Sequence, residues 1–338
     1  GLVCDVMPMT GLARVLVAQG LRTLAARGNP GLAALSARSG AAGKPTAYDL
    51  GFVLGPRINA AGRIGHARLA FELLTTKDQS RRVLMADRLH AMNAERQEIE
   101  RNVLDEAIAA VGRNPAAAIV VAAEGWHPGV VGIVAGRLKD RFDRPAIVIG
   151  LDGDVGKGSA RSIEGVDIGL AVRRAREAGI LINGGGHAMA AGLTVAADRL
   201  APFRELLVAE IQHDVDRSIA ARTRRIDAVV GVAAVTRRVA EEIAMAGPYG
   251  PGNPEPTFVI ADLRAERLKE VGRGHIAATL VDPCGESLRA IAFRAGGEPL
   301  EAVLRSGARI HVAGRIKFDE WGGGSGAQLH VCDAAPAL

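Results

Sequence analysis

Aromatic side chains are scarce in this chain: Phe, Trp and Tyr make up 3% of its 338 residues. Ala, Val, Leu and Ile must therefore fill whatever core it builds. Cysteine is also sparse. Cys4, Cys284 and Cys332 are scattered and form no CxxC pair. That excludes a zinc ribbon and a disulfide framework and fits a reducing compartment, the cytoplasm. HxxH and HExxH patterns are missing too, and the sequence shows no complete metal site. Asp5 leaves an apolar stretch, LVCDVMPM (2–9), at a position that suits a metal ligand or a turn cap. One carboxylate cannot hold a divalent cation, which takes several oxygen ligands. No apolar run reaches membrane-spanning length and no signal peptide is evident, so no membrane partner is expected. The chain has no initiator Met and its first apolar stretch begins at once, so a segment is expected to precede Gly1.

What is present is room for two or three domains and an apolar fraction of 48%, enough for packed cores. Lys and Arg number 42 against 37 Asp and Glu, a net charge of +5. The isoelectric point is about 9.4. This modest excess permits an anionic partner without demanding one.

The pattern along the chain changes twice. Residues 1–10 read as the end of a buried strand, followed by helices at 10–27 and 32–39. Residues 49–74, FVLGPRINAAGRIGHARLAFELL within them, read as a loop leading into a helix. A helix over 77–111 carries charge on most faces, which suggests a connector rather than a core helix. From Ala116 strands and helices alternate: strands at 117–124, 145–153 and 155–162, helices at 127–142, 163–179 and 200–220. This is an α/β unit. After Arg222 short strands separated by Gly, Pro and Asp turns suggest a small β-barrel. No internal repeat is evident.

Four stretches invite chemistry. ILINGGGHAMAAG (180–192) places Gly184, Gly185 and Gly186 before His187. A glycine triplet costs backbone entropy and suits a positive φ or a close approach of backbone to a ligand. Exposed N–H groups there can bind phosphate oxygens, and the imidazole can donate to one. The alternative is a tight turn. GKGSARS (156–162) puts Lys157, Ser159 and Arg161 on one face of a strand, a donor set suited to phosphate, or else an exposed edge strand. GPRINAAGR (55–63) sets Arg57, Asn59 and Arg63 among small residues, able to reach a backbone phosphate or merely to open a helix. WHPGVVGIVAGRL (126–138) reads mainly as a helix whose Gly129, Gly132 and Gly136 allow close packing on the sheet.

These stretches, with VCDVMPMTG, GPYGPGNPEPTF and the terminal QLHVCD, occur in an order and at distances that resemble the RecJ family of single-stranded-DNA-specific 5′→3′ exonucleases. The resemblance covers nearly the whole chain and implies α/β plus β architecture. Residues 1–75 would be the tail of a DHH phosphoesterase domain, 76–112 a connecting helix, 113–221 the DHH-associated domain carrying GGGH, and 222–338 an OB-fold. The family's DxD and Asp-His-His motifs are absent, which puts activity of this chain alone in doubt.

The resemblance implies hydrolysis by two Mn²⁺ or Mg²⁺ ions, with Asp5 matching the last metal-binding aspartate. Arg63 and Arg57 would line the DNA path. Ser159 and Arg161 would hold the 5′-terminal phosphate, and His187 would face the scissile one. Tyr249 and Trp321 would stack on single-stranded DNA over the OB-fold, whereas Phe258 and Phe293 read as core. Roles in recombinational, mismatch and base-excision repair follow, as a monomer working with single-strand-binding protein and a RecQ-type helicase. Two other readings compete: a non-catalytic single-stranded-DNA-binding module, and a DHH phosphoesterase of short oligonucleotides or cyclic dinucleotides. The latter relatives lack an OB-fold. The GGGH-like domain of alanyl-tRNA synthetases lacks the GKGSARS and GNPEP context.

Overall fold

The computed structural model describes residues 1–40, 44–112, 115–221, 223–272, 274–319 and 326–337. They fold as two compact units. One comprises Leu24–Lys44 and Tyr48–Thr223; the other comprises Gly1–Thr23, Pro45–Ala47 and Arg224–Leu338.

Helices α1 (Gly11–Ala25) and α2 (Pro30–Ser39) form near the expected places. Asn29 caps α2 by accepting the Leu32 amide at 2.9 Å, and Gly40 ends it with a φ of 71°. The stretch before α1 is not a strand. The Asp5 and Met7 amides donate to the carbonyls of Gly1 and Leu2 at 2.9 and 3.0 Å, closing turns on themselves, and Val6 has a φ of 56°. Val6 and Met7 face water, and Met9 alone in this stretch is buried, at 2% exposed.

Residues 49–74, expected as a loop leading into a helix, are helical from the start. A π-helical turn, Asp49–Leu54, runs into α3 (Gly55–Ile64). Gly-Pro looks like a breaker in sequence, but proline is tolerated in a first helical turn, where its missing N–H costs little. Ala60 and Ala61 are fully buried and give α3 a smooth face for the long helix. After α4 (Arg68–Thr75) comes that helix, α5 (Gln79–Val111), capped by Asp78 through the Ser80 and Arg81 amides. α5, expected as a connector rather than a core helix, has a core face. Met85, Leu89 and Met92 form a buried stripe along it that continues through Arg96, Glu100, Val103 and Ala107. Its first half packs on Leu35, Leu54 and Leu73, its second half on Val130 and Trp126.

The same unit holds β1 (Ile119–Glu124), α6 (Pro128–Phe142), β2 (Ala146–Asp152), β3 (Val155–Arg161), α7 (Ile168–Glu177), β4 (Asn183–His187), β5 (Ala190–Ala196) and α8 (Leu200–Ala220). α7 starts later than expected because Asp167 caps it, accepting the Leu170 amide at 2.8 Å. The sheet order is β1-β2-β3-β5-β4, with β1 and β2 parallel and the remaining pairs antiparallel. Val130, Val134 and Leu138 of α6 bury one face against Ile119, Val121 and Val148. Val172 of α7 and Phe203, Leu207 and Ile211 of α8 bury the other against Ile147, Ile149 and Val195.

The second unit contains β6 (Ala228–Val229), α9 (Arg237–Met245), β7 (Phe258–Val271), β8 (His275–Val281), β9 (Ser287–Ala292), α10 (Pro299–Leu304), β10 (Arg309–Phe318) and β11 (Ala327–Pro336). Strands β7-β8-β9-β11-β10 close into a five-stranded barrel through β10–β7 pairing. Ile260, Leu263, Ile276, Leu280, Val312, Ile316 and Leu329 fill it. Phe258 packs against this core, but Phe293, expected inside it, is 49% exposed. It lies just past the end of β9, where alternation turns it outward. Among the described residues no helix is long and apolar enough to cross a membrane.

Candidate functional site

The strand registers bring most of the first unit's candidate residues onto one face. Arg161 pairs with Ala190, and Ala190 with His187. Ser159 pairs with Gly192, and Gly192 with Gly185. Lys157 pairs with Thr194, and Thr194 with Asn183. Side chains alternate along a strand, so these three rows share a face. It is the face α6 covers over β2 and β3, and it is open over β5 and β4. A Cβ added at Gly185 or Gly192 would meet nothing within 4 Å. The middle row is therefore bare peptide, flanked by donors at both ends.

The three glycines of the triplet differ in role. None has a positive φ. A Cβ at Gly184 would press on Val172 of α7, and one at Gly186 would overlap the Ala190 carbonyl across the β4–β5 hairpin. These two serve packing; Gly185 keeps the open face clear. Arg173 and Arg176 of α7 donate to the Gly186 and Gly184 carbonyls, each at 3.2 Å, fixing β4 from behind. His187 accepts the Met189 amide on Nδ1 at 3.3 Å, which leaves Nε2 to act as donor toward solvent.

Guanidinium groups gather at the edge where α6 meets β3. Arg161 is held by Ser159 Oγ at 2.9 Å and its neighbour's carbonyl, Ala160 O, at 2.7 Å. Burial, and then the charge of Arg63, push its pKa down. Both effects disfavour a cation and would be relieved by a bound anion. Gly132 of α6 lies directly over Ser159 and Arg161, where a side chain would crowd them. Arg63, exposed at the end of α3, donates to the Gly129 carbonyl at 3.1 Å. His127 caps α6, its Nδ1 accepting the Gly129 amide at 3.0 Å. Arg57 is turned away from this group: it donates to Val53 O at 2.7 Å and His90 Nδ1 at 3.3 Å, and burial lowers its pKa. Asn59 is exposed on α3.

Sequence reasoning missed a buried group behind Arg63. Arg96, 7% exposed, bonds Glu100 and Asn93, and Arg137 bonds the other Glu100 oxygen. Arg96 Nε has no partner among the described residues, and burial first, then the charges of Arg63 and Arg137, press its pKa down against the pull of Glu100. The Asn93, Arg96, Glu100 spacing of three and four marks one helix face and was the available signal. Asn183 and Thr194 were missed because strand pairing is not written in local sequence.

In the second unit Asp5 is exposed on its turn. No group of three or more His, Cys, Asp or Glu able to hold a metal ion occurs among the described residues. A two-ion centre does not fit the described residues. The Tyr249 hydroxyl donates to Ile243 O, the ring is half-buried, and burial and Glu255 raise its pKa. Its phenol is thus engaged in the turn before Pro251. Trp321 lies outside the described residues.

Residues 114–213 match the DHHA1 domain and residues 226–333 the RecJ OB domain. The single-stranded-DNA-specific exonuclease RecJ of Bacillus subtilis is 34% identical over 342 residues, covering 99% of this chain and 43% of that protein. Two crystal structures of RecJ from Thermus thermophilus, one in complex with Mn²⁺ and one with Mg²⁺, superpose at TM-scores of 0.81 and 0.82. Each is 30% identical and covers 100% of this chain, and the chain covers 48% and 51% of them. The chain thus spans about half the length of these relatives. The ordered pair of domains, the identity along nearly all of the chain and the shared fold make it a homologue of the corresponding part of RecJ exonucleases.

Proposed function

We propose that this chain is the DNA-gripping part of a single-stranded-DNA-specific 5′→3′ exonuclease. The observation that carries the reading is the face of β3-β5-β4, open over β5 and β4 beside α6. There Arg161 and Ser159 stand at the edge beside Arg63, His187 stands across the strip, and Gly185 and Gly192 leave the backbone bare between them. Arg161 is poised for a terminal phosphate: its guanidinium is preorganised by Ser159, partly dehydrated, and short of a counter-charge. His187 Nε2 and Arg63 would donate to the neighbouring phosphodiester, with Lys157 and Asn59 toward the path of the strand. In this reading residues 1–75, 76–112, 113–221 and 222–338 are the parts of a RecJ architecture, the last guiding the strand.

Hydrolysis is not assigned to residues of this chain, since Asp5 stands alone and the described residues do not supply a metal centre. Mn²⁺ or Mg²⁺, cytoplasmic repair and recombination, single-strand-binding protein and a RecQ-type helicase belong to the proposal for the whole exonuclease, as does a monomeric state. The small-substrate phosphoesterase reading is weaker, because the RecJ OB match over 226–333 gives this chain a barrel such enzymes do not need.

The test compares single-stranded oligonucleotides with 5′-phosphate and 5′-hydroxyl ends. Arg161→Ala removes charge-assisted hydrogen bonds worth about 1.5–3 kcal/mol, so phosphorylated ends should bind roughly 10- to 100-fold more weakly and hydroxyl ends much as before. Equal loss on both ends would sink the phosphate assignment.

A further inference from the structure

The outer face of the barrel carries a ring cluster centred on Phe293, which the sequence reading placed in the core. Phe293 stands at the end of β9 with the imidazoles of His275 and His330 edge-on to it, at centroid distances of 5.2 and 5.0 Å and interplanar angles of 70°. Single exposed apolar residues are ordinary on protein surfaces. Phe293 differs because its surroundings are fixed and polar. His275 Nδ1 accepts the Arg294 amide at 3.0 Å, which locks the turn that presents the ring. His330 Nε2 lies 3.2 Å from the side-chain amide nitrogen of Gln328. Burial first, then Lys317 and Arg315, push the His330 pKa down to about 4, so at neutral pH it is an uncharged ring accepting from Gln328.

Cations edge this cluster. Arg315 pairs with His330 and Lys317 with Gln328 across β10–β11, and β11 in turn pairs with β9. Two strand spacings put this row about 10 Å from the Phe293 strand. Arg289 lies on the same face of β9, and Arg294 follows Phe293 directly. An aromatic face set beside a row of cations suits a polymer that alternates flat rings with phosphates.

We propose that Phe293, steadied by His275 and His330, is a stacking platform for an unpaired nucleobase of single-stranded DNA, with the backbone phosphates running over Arg315 and Lys317. The proposal rests on the single-stranded-DNA reading above. It moves the stacking role away from Tyr249, whose hydroxyl and ring are engaged locally.

The experiment measures binding of the 338-residue chain to fluorescent oligothymidylate and to an abasic deoxyribose-phosphate oligomer of equal length. EDTA is present so that no hydrolysis intervenes. Base–aromatic stacking is worth about 1–3 kcal/mol per base, so Phe293→Leu should weaken oligothymidylate binding roughly 5- to 100-fold. It should leave abasic binding and the melting temperature unchanged, and Phe293→Trp should retain parental affinity. If Phe293→Leu binds oligothymidylate as the parent does, or loses both oligomers equally, the platform is wrong while the single-stranded-DNA reading stands. If the parent binds neither oligomer, both fall together.

Discussion

The outer face of β3-β5-β4 and the outer face of β8-β9-β11-β10 differ in what occupies the middle. On the sheet the centre is Gly185 and Gly192, open space above bare peptide. On the barrel it is Phe293 between two imidazoles. Both middles are bordered by cations, but the borders differ as well. No acid pairs with Lys157 among the described residues, and Arg161 is supported by a hydroxyl and a carbonyl. On the barrel Lys317 and Arg315 already share Glu255, and Arg289 pairs with Asp319. One surface is built to meet a phosphate closely and the other to meet a flat apolar ring. The difference teaches that, on the proposed reading, the two surfaces would divide the backbone and the bases of a single strand between them.

The largest effect that separates these roles lies inside the glycine triplet. Gly186→Ala puts a methyl group into the Ala190 carbonyl and Ala191, backbone that cannot rotate away. Overpacking of this kind costs about 1–3 kcal/mol or more, so the chemical-denaturation midpoint should fall clearly. Gly185→Ala meets nothing, should melt normally, and should weaken DNA binding by narrowing the strip. If both variants keep full stability, the division of the triplet into packing and ligand-facing glycines is wrong.

That division also shows what the sequence could tell. Strands β1, β2 and β3, the long helix and the barrel were legible because apolar periodicity and turn residues report them directly, whereas β4 and β5 in the glycine-rich stretch were not read as strands. The Lys157, Ser159 and Arg161 face was legible because it needs only alternation along one strand. Three things were not. The GPRINAAGR stretch forms a helix because buried Ala60 and Ala61 pack on α5, a tertiary reason that overrides the Gly-Pro signal. Arg96 and Glu100 looked like solvated charge until packing buried them together. Phe293 looked like core because its apolar strand ends one residue before it.

A smaller effect concerns the barrel alone. His330 is held neutral in the folded chain, with a pKa of about 4, against an ordinary value of 6.5. Between those values the unfolded chain binds a proton that the folded chain does not. Stability should therefore fall as pH drops from about 6.5 to 4, and this contribution should be constant above that window. Urea midpoints measured across the window should show the slope, and His330→Gln should flatten it. An identical slope in the variant would show that His330 does not experience the burial and cationic field described here.

The smallest effect compares the two cationic borders. Each phosphate neutralised by a single-strand binder contributes roughly 0.7 to the slope of log affinity against log salt. Lys157 lacks an acidic partner among the described residues, so Lys157→Met should lower the slope by about that amount. Lys317 sits 2.6 Å from Glu255, and that carboxylate already balances part of its charge. Lys317→Met should therefore lower the slope by less. Removing Glu255 first, as Glu255→Gln, should raise the Lys317 contribution toward that of Lys157. Salt titrations of oligothymidylate binding with the three variants read these differences directly. Equal slopes for Lys157→Met and Lys317→Met would mean that both borders meet phosphates alike, and the contrast between the two faces would reduce to the ring at the centre of one of them.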